Sequence, residues 1–262
     1  MTLTVIGGAL GFDSGRLWSG LDLAVAPGEF LAVLGGNGSG KTSLLRAILG
    51  ATPLDAGTIE LEGRPVRRGD RRIGYIPQQK IVQPGTPLRG RDLVTLGVNG
   101  HRFGLPITSR VERARVDALL TAVGADSYAT RPLGELSGGE QQRLRVAQAL
   151  ADDPVLLLCD EPLASLDLHH QAAIAGLIDA RRRDSNTAVV FVTHDINPVL
   201  SMVDRILYLA EGKFTIGPPD EVLRSDVLSE LYGTPVEVFR NRGRVFVAGA
   251  PEHSHHPDED VA

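Results

Sequence analysis

GGNGSGKT, at residues 35–42, fits the pattern G-x-x-x-x-G-K-[ST] without a gap. The apolar run FLAVL at residues 30–34 precedes it and predicts a buried strand, while SLLRAILG at residues 43–50 follows with helical spacing and a glycine stop. A plain glycine-rich turn is the alternative, but the lysine, the hydroxyl group and the flanking periodicity all favour a phosphate-binding loop. The sequence therefore predicts that the chain binds a nucleoside triphosphate.

The predicted loop offers three kinds of contact to phosphate groups. Its glycines let backbone N–H groups turn inward, and the N-terminus of the following helix adds a partial positive charge. Lys41 can reach the β- and γ-phosphates, and the Thr42 hydroxyl can bind Mg²⁺. The residues predicted to bind nucleotide here are Gly35, Asn37, Gly38, Ser39, Gly40, Lys41, Thr42 and Ser43.

The composition is that of an ordinary globular chain of 262 residues, 42% of them hydrophobic. The net charge of −5 argues against general nucleic-acid binding, so no nucleic-acid partner is expected. No apolar run approaches the roughly 18 residues that cross a bilayer, and no signal-peptide pattern is present. The single cysteine, Cys159, excludes an internal disulfide and is predicted to be a small buried hydrophobic residue.

Strands and helices alternate along the middle of the chain. Apolar runs at residues 155–159 and 188–193 predict buried strands, with a helix near residues 169–183 between them. This alternation favours a parallel sheet that is covered on both faces. The alternating pattern of residues 1–30 predicts short antiparallel strands instead. Further helices are predicted at 109–124, at 138–151 and, as a short segment, near 92–96.

Two carboxylates, Asp160 and Glu161, end the apolar run VLLLCDE at residues 155–161. Ligands of a parallel sheet sit beyond the carboxyl ends of its strands, so both acids are predicted to lie beside the phosphate-binding loop. One acid can hold Mg²⁺ and the next can act as a general base or position an attacking water. The alternative is a helix N-cap without a chemical role.

Ser137 is predicted to cap a helix whose first residues, Gly138 and Gly139, leave the backbone amides uncovered. This is a second anion-binding pattern in a chain that already has one. A head-to-tail arrangement of two copies, in which each completes the site of the other, explains both patterns. An ordinary capped helix start, with glycines for packing, is equally compatible with this segment alone.

Taken in order, these motifs resemble those of the nucleotide-binding subunit of an ABC transporter. The family signature LSGGQ appears here as LSGGE at residues 136–140. By the same resemblance, Gln78 matches the Q-loop glutamine, Ser165-Leu166-Asp167 the D-loop, and His194 the switch histidine. Phe12 matches the aromatic residue that stacks on adenine, with Trp18 as the other candidate.

The resemblance implies ATP and Mg²⁺ as cofactors and gives each matching residue a role. Glu161 would activate water, His194 would contact the γ-phosphate, and Gln78 would sense Mg²⁺ and water, which makes these three the catalytic residues. The metal would be held by Thr42, Gln78 and Asp160. The ATP bound to a second copy of the chain would be contacted by Ser137, Gly138 and Gly139.

Other positions depart from the family pattern without removing a catalytic group. Gly36 replaces a proline, Glu140 replaces the signature glutamine, and Gln148 replaces a common arginine. His169 and His170 lie just past the D-loop and are expected to be exposed helix residues.

The resemblance also implies the architecture. We expect an α/β fold, a P-loop NTPase (RecA-like) core with a mainly parallel sheet, an antiparallel β subdomain and an inserted α-helical subdomain. The ATPase domain would span residues 1–235, with the helical subdomain inserted at residues 84–150. Residues 236–262 would form a C-terminal extension whose acidic, histidine-bearing tail is predicted to be disordered.

Separate membrane permease subunits are the implied partners, and the expected location is peripheral, on the cytoplasmic face of the cell membrane. The loop after Gln78 and residues 84–106 are the predicted docking surface for the permease.

The cargo is inferred from a weaker resemblance. Residues 74–79, 194–198 and 220–238 are most similar to ATPases of manganese- and zinc-type metal importers. A divalent metal ion and an extracytoplasmic metal-binding protein are therefore expected. The alternatives are an ABC exporter, an importer of a non-metal substrate, or a soluble ABC ATPase. The tail histidines, His253, His255 and His256, are better explained as part of a short polar tail than as a metal site.

Overall fold

The computed structural model describes residues 1–12, 15–78, 85–100 and 108–249, with Phe12 and Arg16 described by their backbone alone. The segment directly after Gln78, part of the predicted docking surface and the tail histidines lie outside the described residues.

The described residues form strands, α-helices and two short 3₁₀ segments. The strands are β1 (Leu3–Phe12), β2 (Gly15–Val25), β3 (Phe30–Gly35), β4 (Ala56–Leu61), β5 (Arg64–Pro65), β6 (Ile73–Ile76), β7 (Leu156–Asp160), β8 (Ala188–Val192), β9 (Arg205–Ala210), β10 (Lys213–Gly217), β11 (Glu237–Asn241) and β12 (Arg244–Ala248). The helices are α1 (Lys41–Ile48), α2 (Gly90–Asn99), α3 (Arg110–Ala122), α4 (Gly138–Ala149), α5 (Leu168–Ser185), α6 (Pro219–Val222) and α7 (Ser225–Tyr232). The 3₁₀ segments are Leu133–Glu135 and Leu200–Met202.

The central sheet has six strands in the order β10-β9-β3-β8-β7-β6. All neighbouring strands are parallel except β10, which pairs antiparallel with β9. Every residue of β7 and β8 is buried, because apolar side chains point to both covered faces. This confirms the predicted α/β architecture and places the carboxyl ends of β3, β8 and β7 side by side.

A second, antiparallel sheet has the order β2-β1-β4-β5. Its strands β1 and β2 are longer than the short strands expected, because their pairing continues through three register shifts to the Phe12–Gly15 pair. Trp18, Leu21 and Leu23 of β2 lie in one apolar cluster with residues of β3 and α1. The antiparallel sheet therefore packs against β3 and α1, the two elements that the loop connects.

Helices α2, α3 and α4 lie between β6 and β7 in the chain and pack against one another, as expected for an inserted helical subdomain. The predicted start of α3 is confirmed: Ser109 Oγ accepts a hydrogen bond from the Glu112 N–H, and the Glu112 carboxylate accepts one from the Ser109 N–H. Such a reciprocal cap satisfies two backbone donors that a helix start leaves free.

The C-terminal end of the described chain is a hairpin, β11–β12, that packs near the end of β8. Asn197 holds it with both ends of its amide: Nδ2 donates to the Val245 carbonyl at 2.9 Å and Oδ1 accepts from the Val245 N–H at 2.8 Å. The segment that follows His194 is thus tied to the C-terminal hairpin.

Two glycines give a matched test of packing. A Cβ atom at Gly74 in β6 would overlap the Ala149 carbonyl oxygen at the end of α4 and lie 2.9 Å from Pro154 Cγ. Gly74→Ala is expected to lower the free energy of unfolding by about 1–3 kcal/mol, the usual cost of overpacking. Gly176 in α5 is exposed and has open space around it. Gly176→Ala is therefore expected to raise the free energy of unfolding by about 0.5–1 kcal/mol, because glycine is less favourable than alanine inside a helix.

Urea unfolding of the full chain measures both changes. Equal effects of the two substitutions would contradict the close contact between β6 and α4.

Candidate functional site

The loop between β3 and α1 has the backbone shape that its glycines predict. Gly35 has a φ of 143°, and a Cβ atom there would overlap the Leu209 carbonyl oxygen, so only glycine fits. Gly40 has a φ of 95° and directly precedes α1. The hydroxyl oxygen of Ser39 is buried in this loop and has no hydrogen-bond partner among the described residues. The loop therefore has a free polar atom and an uncapped helix start, which fit a phosphate group.

Lys41, the first residue of α1, is buried and folds back over the loop. Its Nζ donates to the carbonyl oxygens of Gly35 and Gly36, both at 2.8 Å. Burial lowers the pKa of Lys41, while the Glu161 and Asp160 carboxylates oppose this change. The ammonium group is thus held at the mouth of the loop by fixed contacts.

Asp160 ends β7 and is only 4% exposed. Its Oδ1 accepts a hydrogen bond from Thr42 Oγ1 at 3.3 Å, and its Oδ2 accepts one from the Tyr75 hydroxyl at 3.4 Å. Burial raises the pKa of Asp160, and the hydrogen bond from Thr42 works in the opposite direction. The sequence indicated Thr42 and Asp160 but not Tyr75, whose position in β6 is opposite Leu158 of β7.

The Thr42 hydroxyl and the Asp160 carboxylate are oxygen ligands of the kind that Mg²⁺ prefers. Within the described ranges, no three His, Cys, Asp or Glu side chains form a metal-binding group. A magnesium ion that arrives with nucleotide phosphates needs only one or two protein ligands and keeps waters for the rest. The residues present therefore fit Mg²⁺ brought with the nucleotide.

Glu161 links the two remaining predicted catalytic residues. Its Oε2 accepts a hydrogen bond from Gln78 Nε2 at 3.4 Å and lies 3.6 Å from His194 Nδ1. Glu161 has a φ of 46°, unusual for a non-glycine residue, and its N–H donates to the Val192 carbonyl at 3.0 Å. The side chain of His194 is 65% exposed, so its ring is accessible to a bound phosphate.

Ser137 and Gly139 lie elsewhere, at the start of α4 in the helical subdomain. Ser137 is exposed and forms the same reciprocal cap as Ser109, here with Glu140. Gly139 is buried against the ring of His170, which corrects the expectation that His170 is simply an exposed helix residue. The physical reason is that α5 packs against α4, so its first turn is partly covered.

Trp18, the alternative candidate for stacking on adenine, is excluded by burial. Its side chain is fully buried, and its indole lies beneath the loop, with Nε1 3.0 Å from where a Gly40 Cβ atom would be. Phe12 ends β1, and its side chain lies outside the described part of the chain. Cys159 is buried as predicted, and burial raises the pKa of its thiol.

None of the helices in the described ranges is long and apolar enough to cross a bilayer.

A family model described as "ABC transporter" matches residues 18–164. Three curated relatives have comparable similarity. The hemin import ATP-binding protein HmuV of Nocardia farcinica is 38% identical, over 86% of this chain and 78% of its own. The zinc import ATP-binding protein ZnuC of Cereibacter sphaeroides is 37% identical, over 83% of each chain. The manganese transport system ATP-binding protein MntB of Bacillus subtilis is 36% identical, over 85% of this chain and 88% of its own.

Solved structures agree with the fold. A putative metal-chelate type ABC transporter in an inward-facing conformation is 27% identical, with a TM-score of 0.80 over 94% of this chain and 95% of the other. A dimeric ATP-binding cassette in a post-hydrolysis state, bound to ADP and Pi, is 26% identical, with a TM-score of 0.71 over 82% of this chain and 98% of the other.

The raised pKa of Asp160 gives a pH-dependent prediction. A buried carboxyl group with a raised pKa favours folding only while it is protonated, so its ionised form costs stability at neutral pH. Asp160→Asn is therefore expected to raise the urea midpoint of the ligand-free chain at pH 7. The gain is expected to shrink as the pH falls and the wild-type carboxyl group becomes protonated.

The same substitution is expected to weaken the dependence of nucleotide binding on Mg²⁺. An Asp160→Asn chain that is less stable than wild type at pH 7, or a gain that is independent of pH, would contradict this account of the buried carboxylate.

Proposed function

Since the chain belongs to the ABC transporter family and is one of its ATPases, we propose that it powers a membrane transporter that imports a divalent metal ion such as manganese or zinc. The observation that carries the ATP-hydrolysing part of the proposal lies at one edge of the central sheet, where Glu161 contacts both Gln78 and His194. The Glu161 and Asp160 carboxylates also oppose the lowering of the Lys41 pKa. Relatives named for manganese and zinc transport support the cargo.

We propose that the loop and the start of α1 bind the phosphates of ATP. When ATP binds, Lys41 Nζ gives up a hydrogen bond to a loop carbonyl and contacts the β- and γ-phosphates instead. The backbone amides at the start of α1 face the negative charge of the same phosphates. Thr42, Asp160 and Gln78 are the candidate holders of Mg²⁺, which supplies charge neutralisation when bound. Phe12, at the end of β1, is the candidate platform for adenine. The proposed loop contacts come from Gly35, Asn37, Gly38, Ser39, Gly40 and Ser43.

Hydrolysis follows from the position of Glu161. Its carboxylate takes a proton from the water that attacks the γ-phosphate, while Gln78, hydrogen-bonded to the same oxygen, orients that water. The bond between the γ-phosphorus and the bridging oxygen breaks, and ADP leaves with that electron pair. His194 donates a hydrogen bond to the γ-phosphate and stabilises the charge that develops there. Because His194 contacts Glu161, the residue that binds the γ-phosphate lies beside the general base.

We propose that a second copy of the chain completes each site. Ser137 is exposed at the start of α4, and Gly138 and Gly139 follow it in the first turn. A head-to-tail dimer brings this helix start to the γ-phosphate bound by the other copy. The dimeric structure of a relative bound to ADP and Pi supports this arrangement.

The remaining partners follow from the family. We propose membrane permease subunits that dock on the loop after Gln78 and on residues 84–106, and an extracytoplasmic metal-binding protein in the same system. The location is then peripheral, on the cytoplasmic face of the membrane. We propose residues 1–235 as the ATPase domain, residues 84–150 as its helical subdomain and residues 236–262 as the C-terminal extension.

Hemin is a second candidate cargo. The relative from Nocardia farcinica is named for hemin import and is 38% identical to this chain. The nucleotide site does not distinguish the two cargoes, because its side chains contact ATP and not the transported substrate.

Glu161→Gln tests the proposed base. The amide cannot accept the proton, so kcat for ATP hydrolysis is expected to fall at least about 100-fold, while the affinity for ATP stays within about threefold of wild type. Steady-state hydrolysis and equilibrium ATP binding measure the two effects. Glu230→Gln, at an exposed position in α7, is the matched control and is expected to behave as wild type. Normal hydrolysis by the Glu161→Gln chain would overturn the assignment.

Cells that lack this chain test the cargo. Under metal limitation, total manganese or zinc is expected to fall, and only the wild-type chain, not Glu161→Gln, is expected to restore it. The measurement is total cellular Mn, Zn, Fe and Ni. Unchanged manganese and zinc, together with loss of growth on hemin as the iron source, would overturn metal-ion import in favour of hemin.

A further inference from the structure

His170 lies in the first turn of α5 and is tied to the residue that caps this helix. Its backbone N–H donates to Asp167 Oδ1 at 2.9 Å, and its ring Nδ1 lies 2.7 Å from Asp167 Oδ2. An ionised carboxylate can only accept, so Nδ1 carries the proton. The two hydrogen bonds, that of the backbone first, lower the pKa of Asp167. The ring of His170 is therefore fixed in one orientation.

The other side of the ring covers Gly139. A Cβ atom at Gly139 would overlap Cδ2 of His170 and would lie 2.8 Å from its Cγ and from its Nε2. The backbone at the start of α4 thus approaches the imidazole as closely as a glycine allows. Gly139 is buried, although neighbouring Ser137 is exposed. The contact joins two segments, α4 and α5, at their N-terminal ends.

These two segments serve different nucleotides in the proposed dimer. Asp167 follows Glu161 closely in the chain, and Glu161 acts on the ATP bound by its own copy. Gly139 belongs to the segment that faces the ATP of the other copy. A side chain that touches both segments can therefore set the position of one relative to the other.

We propose that His170 is a positioning residue that holds the Ser137–Gly139 segment in register with Asp167. The inference rests on the proposed dimeric site and adds a residue that acts through Gly139 and Asp167 without touching ATP. Loss of the ring lets the start of α4 shift relative to the end of β7, so the two halves of the composite site no longer close together.

The first test is His170→Ala in the full chain. The expected result is a fall in kcat of about tenfold. Without the contact between His170 and Gly139, the Ser137–Gly139 segment is misplaced when the dimer closes around ATP. The affinity of the monomer for ATP is expected to be unchanged, since the binding loop is intact. The fluorescence of Trp18, the single tryptophan, reports this binding because its indole lies under Gly40.

Two variants separate positioning from a general loss of structure. His169→Ala removes the neighbouring exposed ring and is expected to keep the wild-type kcat. His170→Asn retains a donor near the place of Nδ1 and is expected to recover part of the lost turnover. A wild-type kcat for His170→Ala, or an equal loss for His169→Ala, would overturn the proposal.

A double substitution tests the contact directly. Gly139→Ala is expected to lower kcat by about 100-fold, because its methyl group collides with the ring. Adding His170→Ala removes the collision, so the double variant is expected to lose only about tenfold, as His170→Ala does alone. If the two losses instead multiply, to about 1,000-fold, Gly139 acts independently of His170 and the proposal is wrong. Wild-type hydrolysis, measured alongside, reports the proposed function separately: it stays intact if only the His170 contact is wrong.

Discussion

The burial of opposite charges at the carboxyl edge of the central sheet is the constraint on which this structure depends. Lys41 and Asp160 are both nearly inaccessible to solvent. Burying a charged group costs free energy unless hydrogen bonds from the protein replace those it made with water. The fold supplies these contacts from three elements: loop carbonyls for Lys41, and the Thr42 and Tyr75 hydroxyls for Asp160. The charges are thereby fixed before a ligand arrives, which is the condition for electrostatic stabilisation of a transferring phosphoryl group.

Much of this arrangement is predictable from sequence because it follows from local patterns. The apolar runs that became β3, β7 and β8 have no polar face, which indicates buried parallel strands. Parallel strands bring their carboxyl ends to one edge, so the position of Asp160 and Glu161 beside the loop follows from connectivity alone. The caps at Ser109 and Ser137 also follow from local sequence, because each serine is followed three positions later by a glutamate.

The roles that sequence reasoning missed depend on packing between distant segments. Tyr75 reaches Asp160 only because β6 pairs with β7, and His170 meets Gly139 only because α5 packs on α4. Pairing of β6 with β7 would indicate Tyr75 as a hydrogen-bond partner of Asp160, whereas no local sequence pattern marks His170 as a partner of Gly139. Trp18 illustrates the same limit: its position in the sequence allowed stacking on adenine, and its burial under Gly40 excludes it.

The central claim is that each nucleotide site is divided between two copies of the chain. The most direct measurement is the molar mass of the Glu161→Gln chain in solution with ATP and Mg²⁺, by light scattering, with and without a second substitution at Ser137. The account predicts a dimer that depends on ATP and that Ser137→Arg abolishes, whereas Ser109→Arg, at a matched cap in α3, leaves it intact. A dimer that persists with Ser137→Arg, or a chain that stays monomeric with ATP bound, would contradict it.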